Sequence, residues 1–255
     1  MPDPHVVELR YRIGTDSIVT FDGPPPVEDE TSEFRLRLEN GIAHFRLKEH
    51  FSSVEAARSA VDKYIRAWEI DVALEHEGLG MNFVFEDAEV IDRNPLPPGS
   101  YQAVMGIARM EMSGLPVTLH ITWGLYPKPP GLFRVSPDVE TLWQRYEGYR
   151  KGQEPLLAMA YFCLTAIEAS AGGRDEAAKS LQISITVLKK LGDLTANRGD
   201  EKTARKVLPG HALTALSQRE AAWIEAAIKV IIRRVGETLS GQSLPLITMG
   251  DLPKL

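Results

Sequence analysis

Polar and apolar positions alternate from His5 to Ile13, with Val7, Leu9, Tyr11 and Ile13 on one side and Glu8, Arg10 and Arg12 on the other. That period of two predicts a half-buried strand. A second, shorter strand is expected over Ile18 to Phe21. From Asp22 to Ser32 the chain holds three successive prolines and a run of acids, and a surface loop is expected. The sharpest local pattern runs from Phe34 to Leu47, where Asn40-Gly41 supplies the two positive-φ residues of a tight hairpin turn. Folding there pairs Leu38 with Ala43, Leu36 with Phe45 and Phe34 with Leu47 on one face. The other face sets Arg37 opposite His44 and Arg35 opposite Arg46. Facing cations require an acid or a bound anion beside them, so this is either an anion-facing surface or a solvated face with acidic neighbours. Further strands are expected over Met81 to Glu86, Tyr101 to Met112 and Val117 to Trp123.

Helical spacing takes over elsewhere. Ser52-Ser-Val-Glu55 is a capping-box sequence, and Ala57, Val61, Tyr64, Ile65, Trp68 and Val72 follow on one stripe, predicting a helix over about 53–75 that packs on the sheet. Leu125 to Gly131 concentrates prolines and marks a boundary. Ser136-Pro137 then opens a helix bearing Val139, Leu142, Trp143 and Tyr146. A second helix spans Pro155 to Ser170, with Leu156, Met159, Ala160, Cys163, Leu164 and Ile167 as its apolar face and Gly172-Gly173 as its stop. The last begins at a second capping box, Ser217 to Glu220, and carries Ile224, Ile228, Ile231 and Val235 up to Gly236. Its stripe reads as a domain core in preference to a subunit seam, and Arg233 and Arg234 are expected in its final turn.

The fold class expected is therefore α+β: a mixed β-sheet domain with one packed helix over residues 1–126, a proline-rich linker over 127–136, an all-α domain over 137–240 and a tail over 241–255. Charge divides along the same line. Residues 1–136 hold 13 Lys and Arg against 21 Asp and Glu, a net −8, whereas residues 137–255 hold 16 against 14, a net +2. A polyanion is bound through clustered cations, so any nucleic-acid contact should fall in the second half.

Candidate chemistry is sparse. One cysteine, Cys163, rules out an intramolecular disulfide and any site needing two thiols. The six histidines form no i, i+4 pair, no metal site and no cofactor are expected, and Glu75-His76-Glu77 reads as a polar helix end. The N-terminus has no basic start followed by an apolar stretch, and the strongest apolar run, Leu156 to Ile167, is short of a membrane span. The expectation is a cytoplasmic protein without membrane contact.

Two stretches resemble known families. Ala177 to Leu191 resembles the helix-turn-helix pattern, with Ala178 as the small residue between helices, Ile183 after the turn, Ser184 as the cap of the second helix, and Leu188 and Leu191 on its buried face. Gln182 stands where that family has glycine. The resemblance implies phosphate contacts from Lys189, Lys190 and Arg198, with Lys202 and Lys206 among the same run of cations; duplex DNA binding is nonetheless not expected. Tyr161 to Glu168 and Arg205-Lys-Val-Leu-Pro-Gly-His211 together resemble the HEPN superfamily over residues 139–235. That resemblance implies a helical domain acting as a homodimer, with Arg205 holding phosphate and His211 moving a proton in metal-independent RNA cleavage. The leading expectation is a binding or interaction protein with a HEPN-like assembly domain and an unidentified protein or RNA partner. An endoribonuclease and a DNA-binding regulator are the alternatives, and no enzymatic activity is assigned.

Overall fold

A computed structural model describes residues 3–15, 19–76, 79–94, 121–199 and 214–255. It is an α+β protein whose chain divides into two compact units, Met1–Pro129 and Pro130–Leu255.

The first unit is built on the hairpin. Strands β4 (Phe34–Glu39) and β5 (Ile42–Leu47) pair in the register the sequence predicts, Leu36 with Phe45 and Arg35 with Arg46, around Asn40 at φ 52° and Gly41 at φ 76°. β1 (Pro4–Gly14) lies on β5, β6 (Asn82–Asp92) lies on β1, and β3 (Val27–Glu30) lies on β4. The result is an antiparallel sheet in the order β3-β4-β5-β1-β6. A separate parallel pair joins β2 (Val19–Phe21) to β7 (Ile121–Trp123). Helix α1 (Val54–Glu75) covers one sheet face, burying Ala57, Val61 and Trp68 against Leu9, Leu36, Leu38 and Phe45. Its cap falls one residue later than the capping-box spacing predicts: Ser53 Oγ accepts from the Ala56 N–H at 3.2 Å.

Three strand expectations change. β3 occupies part of the segment expected to be a loop. Its acids lie across from cations, Glu28 against Arg37 and Glu30 against Arg35, so strand pairing supplies the partners that composition alone made look solvent-bound. In β1 the register against β6 shifts between Val6 and Glu8, a bulge that turns Val6 rather than Val7 into the core and leaves Glu8 only 7% exposed. β6 runs six residues past the expected Glu86. The strand expected over Tyr101 to Met112 lies outside the described residues, as does Val117 to His120.

The second unit is helical: α2 (Pro137–Arg150), α3 (Leu156–Ala171), α4 (Arg174–Ser180), α5 (Ile185–Asn197) and α6 (Gln218–Thr238). α3 is the most apolar helix and the hub, touching α2, α4, α5 and α6. It turns Leu157 rather than Leu156 inward and ends at Gly172 in the left-handed region, φ 83°. Cys163 is buried within it, and burial pushes its thiol up to about 12, so it is core and not nucleophile. No single helix among the described residues is long and apolar enough to cross a membrane.

α6 corrects two expectations. It passes through Gly236 to Thr238, because that glycine is a packing site and not a stop: a Cβ there would meet the Phe133 ring at 2.4 Å and the Arg134 carbonyl oxygen at 2.8 Å. Arg234 is accordingly not in the last turn. It is 4% exposed and donates to Glu237 at 3.1 Å and to the Pro245 carbonyl at 2.7 Å, tying the tail to the helix. Ile224, Ile228 and Ile231 are fully buried within the unit, so the stripe is domain core.

At the other end of α6 the capping box closes as expected. Ser217 Oγ accepts from the Glu220 N–H at 3.2 Å, and Glu220 accepts from the Ser217 N–H at 2.9 Å and from Arg198 at 2.8 Å. The backbone donor of Ser217 and the Arg198 guanidinium hold the Glu220 carboxyl down at about 2. A depressed folded value means stability that is fully present above the ordinary 4.5 and lost as pH falls toward 2. Ser217→Ala is expected to cost about 1 kcal/mol at neutral pH. Glu220→Gln should flatten the pH dependence of the urea midpoint in that acid window, and an unchanged slope would show that the Glu220 charge contributes nothing.

Candidate functional site

The sheet face opposite α1 carries a connected array of charged side chains. Alternation puts Glu8, Arg10 and Arg12 of β1, Arg35 and Arg37 of β4, and His44 and Arg46 of β5 on this side, because Leu36, Leu38 and Phe45 take the other. At its centre sits Glu8. Its Oε1 accepts from Arg10 Nε at 3.1 Å and lies 2.9 Å from His44 Nδ1, and its Oε2 accepts from Arg46 Nε at 3.1 Å. Burial pushes the carboxyl up, but the hydrogen bonds from His44, Arg46 and Arg10 more than offset it and leave Glu8 below the ordinary carboxylate value. A carboxylate can only accept, so His44 carries a proton on Nδ1, and in its neutral form offers Nε2 as an acceptor.

Around this centre each arginine is aimed by an acid. Arg35 Nε donates to Glu30 at 3.0 Å. Arg37 reaches Glu28 at 2.5 Å and Glu39 at 2.9 Å, and Arg12 reaches Glu86. Arg10 also lies 3.3 Å from Asp87. The facing cations of the hairpin are thus reconciled by acidic neighbours, the second of the two alternatives that the sequence pattern allows. Arg35 and Arg46 nevertheless keep side chains 70% and 75% exposed, over an open basin of about 810 Å³. Alternation marks Glu8 only as polar, so it does not stand out as a site residue in the sequence. The signal that finds it is the hairpin itself, whose facing cations demand an acid from the adjoining strand.

Of the cations singled out in the helical half, Lys189, Lys190 and Arg198 fall within the described residues. Lys189 is exposed and Lys190 half-buried on α5, while Arg198 is committed to Glu220 as part of the α6 cap. Lys202, Arg205, Lys206 and His211 lie outside the described residues. Glu168, the acid ending the helix of the HEPN-like pattern, accepts from Arg174 Nε at 2.5 Å.

The helix-turn-helix pattern does fold as two helices and a turn. Gln182 takes the left-handed conformation, φ 51°, in the place of glycine, and Ala178, Ile183, Leu188 and Leu191 are buried. The tail, however, is stitched onto that turn. Ile247 N–H donates to the Gln182 carbonyl at 2.9 Å, and Ser184 N–H donates to the Ile247 carbonyl at 2.7 Å. A DNA-reading motif presents the start of its second helix to base edges. Here the tail backbone holds that start.

No group of three or more His, Cys, Asp or Glu among the described residues is placed to hold a metal ion. No protein-family model, curated protein or solved structure matches the chain. The site is accordingly read from its own chemistry.

Proposed function

We propose that this is a two-domain binding protein in which the charged sheet face recognises a protein partner and the HEPN-like helical unit assembles the chain as a homodimer. The observation that carries the reading is the Glu8 array: an open face whose arginines are held in fixed directions by carboxylates. Arginine stems and planar guanidinium groups make strong interface anchors when their geometry is set in advance. A nucleic acid suits this face poorly. Counterion release needs cations that are not already neutralised, and here Glu8, Glu28, Glu30, Glu39, Glu86 and Asp87 answer the five arginines. A protein surface of both signs can exchange pair for pair. For assembly, the α6 stripe is spent inside the unit. The described residues of the unit offer a cleft of about 630 Å³ lined by buried Leu142, Ile167 and Leu181 and exposed Leu239.

The test has two arms. Light scattering of the full chain at tens of micromolar should give twice the 28.3 kDa chain mass, and a monomer would overturn the assembly half. Cross-linking in the source cell should recover a partner set with wild type that is lost in Arg35→Glu/Arg46→Glu, with a cooperative thermal melt establishing that the variant still folds. An identical set with both chains would overturn the recognition half. On this reading, wild type and His211→Ala are equally inert toward single-stranded RNA in EDTA. Cleavage that leaves cyclic or 3′-phosphate ends and disappears in His211→Ala would establish the endoribonuclease instead.

A further inference from the structure

His5 and His50 are 45 residues apart in the chain, and no local spacing links them. The fold brings them together because β5 runs antiparallel beside β1, so the segment leaving β5 passes the start of β1. There the Val6 N–H donates to the Phe51 carbonyl at 2.9 Å and fixes the approach. The two rings approach Nδ1 to Nδ1 at 3.1 Å, their planes tilted by 31° and their centroids 5.0 Å apart.

Two imidazole nitrogens that close have only two stable arrangements. In one, a single proton is shared as N–H···N. In the other, both nitrogens are unprotonated and direct their lone pairs at one cation. Metal–nitrogen bonds of about 2.1 Å spanning that separation subtend about 95°, close to the angle between neighbouring ligands in octahedral or compressed tetrahedral coordination. The surroundings leave His50 ready for the second arrangement. Asp3 Oδ1 lies 3.5 Å from His50 Nε2, the ring nitrogen away from the pair, where a carboxylate draws the proton to Nε2 and frees Nδ1. Asp3 is itself anchored, its N–H donating to Asp92 at 2.8 Å and its carbonyl accepting from the Arg93 N–H at 2.9 Å.

We propose that His5 and His50 form a two-nitrogen site for a borderline divalent transition cation such as Zn²⁺, Ni²⁺ or Cu²⁺, with Asp3 orienting His50 and the remaining coordination positions open to solvent. The cation would join the start of β1 to the exit of β5. Imidazole pairs suit this class, whereas Mg²⁺ and Ca²⁺ require oxygen donors that the pair does not supply.

The probes are Ni²⁺ in titration calorimetry and Cu²⁺ in electron paramagnetic resonance, both on the full chain. One saturable equivalent of Ni²⁺ is expected. It should weaken at least about tenfold in His5→Ala and in His50→Gln, since even losing an outer-shell partner typically costs that much. It should persist in His76→Ala. The Cu²⁺ spectrum should show coupling to two nitrogens in wild type and one in each variant. Thermal melts without metal establish that the variants fold, and the wild-type spectrum tests the proposal independently of them. Absence of saturable binding, or binding and two-nitrogen coupling that survive in both variants, would leave the pair as a plain hydrogen bond and overturn the proposal.

Discussion

Gly236→Ala is expected to destabilise the helical unit by about 2 kcal/mol, against the sign that helix propensity alone requires. In an exposed helix interior the same change gains about 1 kcal/mol, because glycine loses more backbone freedom on folding than alanine. At this position the added methyl has no room. It would lie 2.4 Å from the Phe133 ring and 2.8 Å from the Arg134 carbonyl oxygen, whose own N–H donates to the Gly236 carbonyl at 3.1 Å. Overpacking of a filled interior costs about 1–3 kcal/mol, and a backbone oxygen cannot swing aside as a long side chain can. The steric cost therefore exceeds the propensity gain. Urea denaturation should show the loss, and hydrogen exchange should place it in α6 and the segment before α2. Adding Phe133→Leu should recover part of it, a coupling expected only of neighbours. A stabilised Gly236→Ala chain would return Gly236 to the role of a helix stop.

That glycine shows where the sequence was legible and where it was not. The hairpin could be read to the residue pair because turn chemistry and period-two alternation act within fourteen consecutive residues and agree with each other. The start of α2 was equally plain, since Ser136-Pro137 is a local signal and the Ser136 Oγ does accept from Val139. Gly236 carries the same one-letter signal whether it ends a helix or admits a ring, and Phe133 lies far from it in sequence. β3 was hidden for the same reason: Glu28 and Glu30 become strand residues only in the presence of Arg37 and Arg35, which belong to another segment. A bulge at the start of β1 moved one inward position from Val7 to Val6 without altering the alternation beyond it.

The candidate sites divide in the same way. Facing cations on the hairpin were visible as a problem needing an acid, but not which acid would supply it. The helix-turn-helix pattern was legible as packing, because small and apolar positions at fixed offsets describe any two helices meeting at a turn. What it could not show is that residue 247 would lie along that turn.

Glu8→Gln should cost about 1–3 kcal/mol at neutral pH while leaving the shape of the side chain almost unchanged. The amide keeps one acceptor oxygen but replaces the other with a donor that faces the guanidinium group of Arg46 or Arg10. Three cationic or proton-bearing groups, Arg10, His44 and Arg46, then converge on a nearly buried neutral residue. Removing one member of a buried network costs more than the network contributes in total, since the remaining charges lose their partner. The cost stays below the values for fully buried pairs because the Arg46 side chain is 75% exposed and water can take up part of its charge. The sign with pH follows from the depressed folded value. Glu8 contributes stability in full above the ordinary carboxyl value of 4.5, and that contribution is lost as pH falls through its lower folded value. The gap between wild type and Glu8→Gln in urea midpoint should therefore be widest near neutrality and close progressively in acid. The same variant should weaken partner recovery in the cross-linking experiment, because Arg46 loses the bond that fixes its direction. A gap that stays constant down to acid pH would mean that shape, and not charge, is what Glu8 provides.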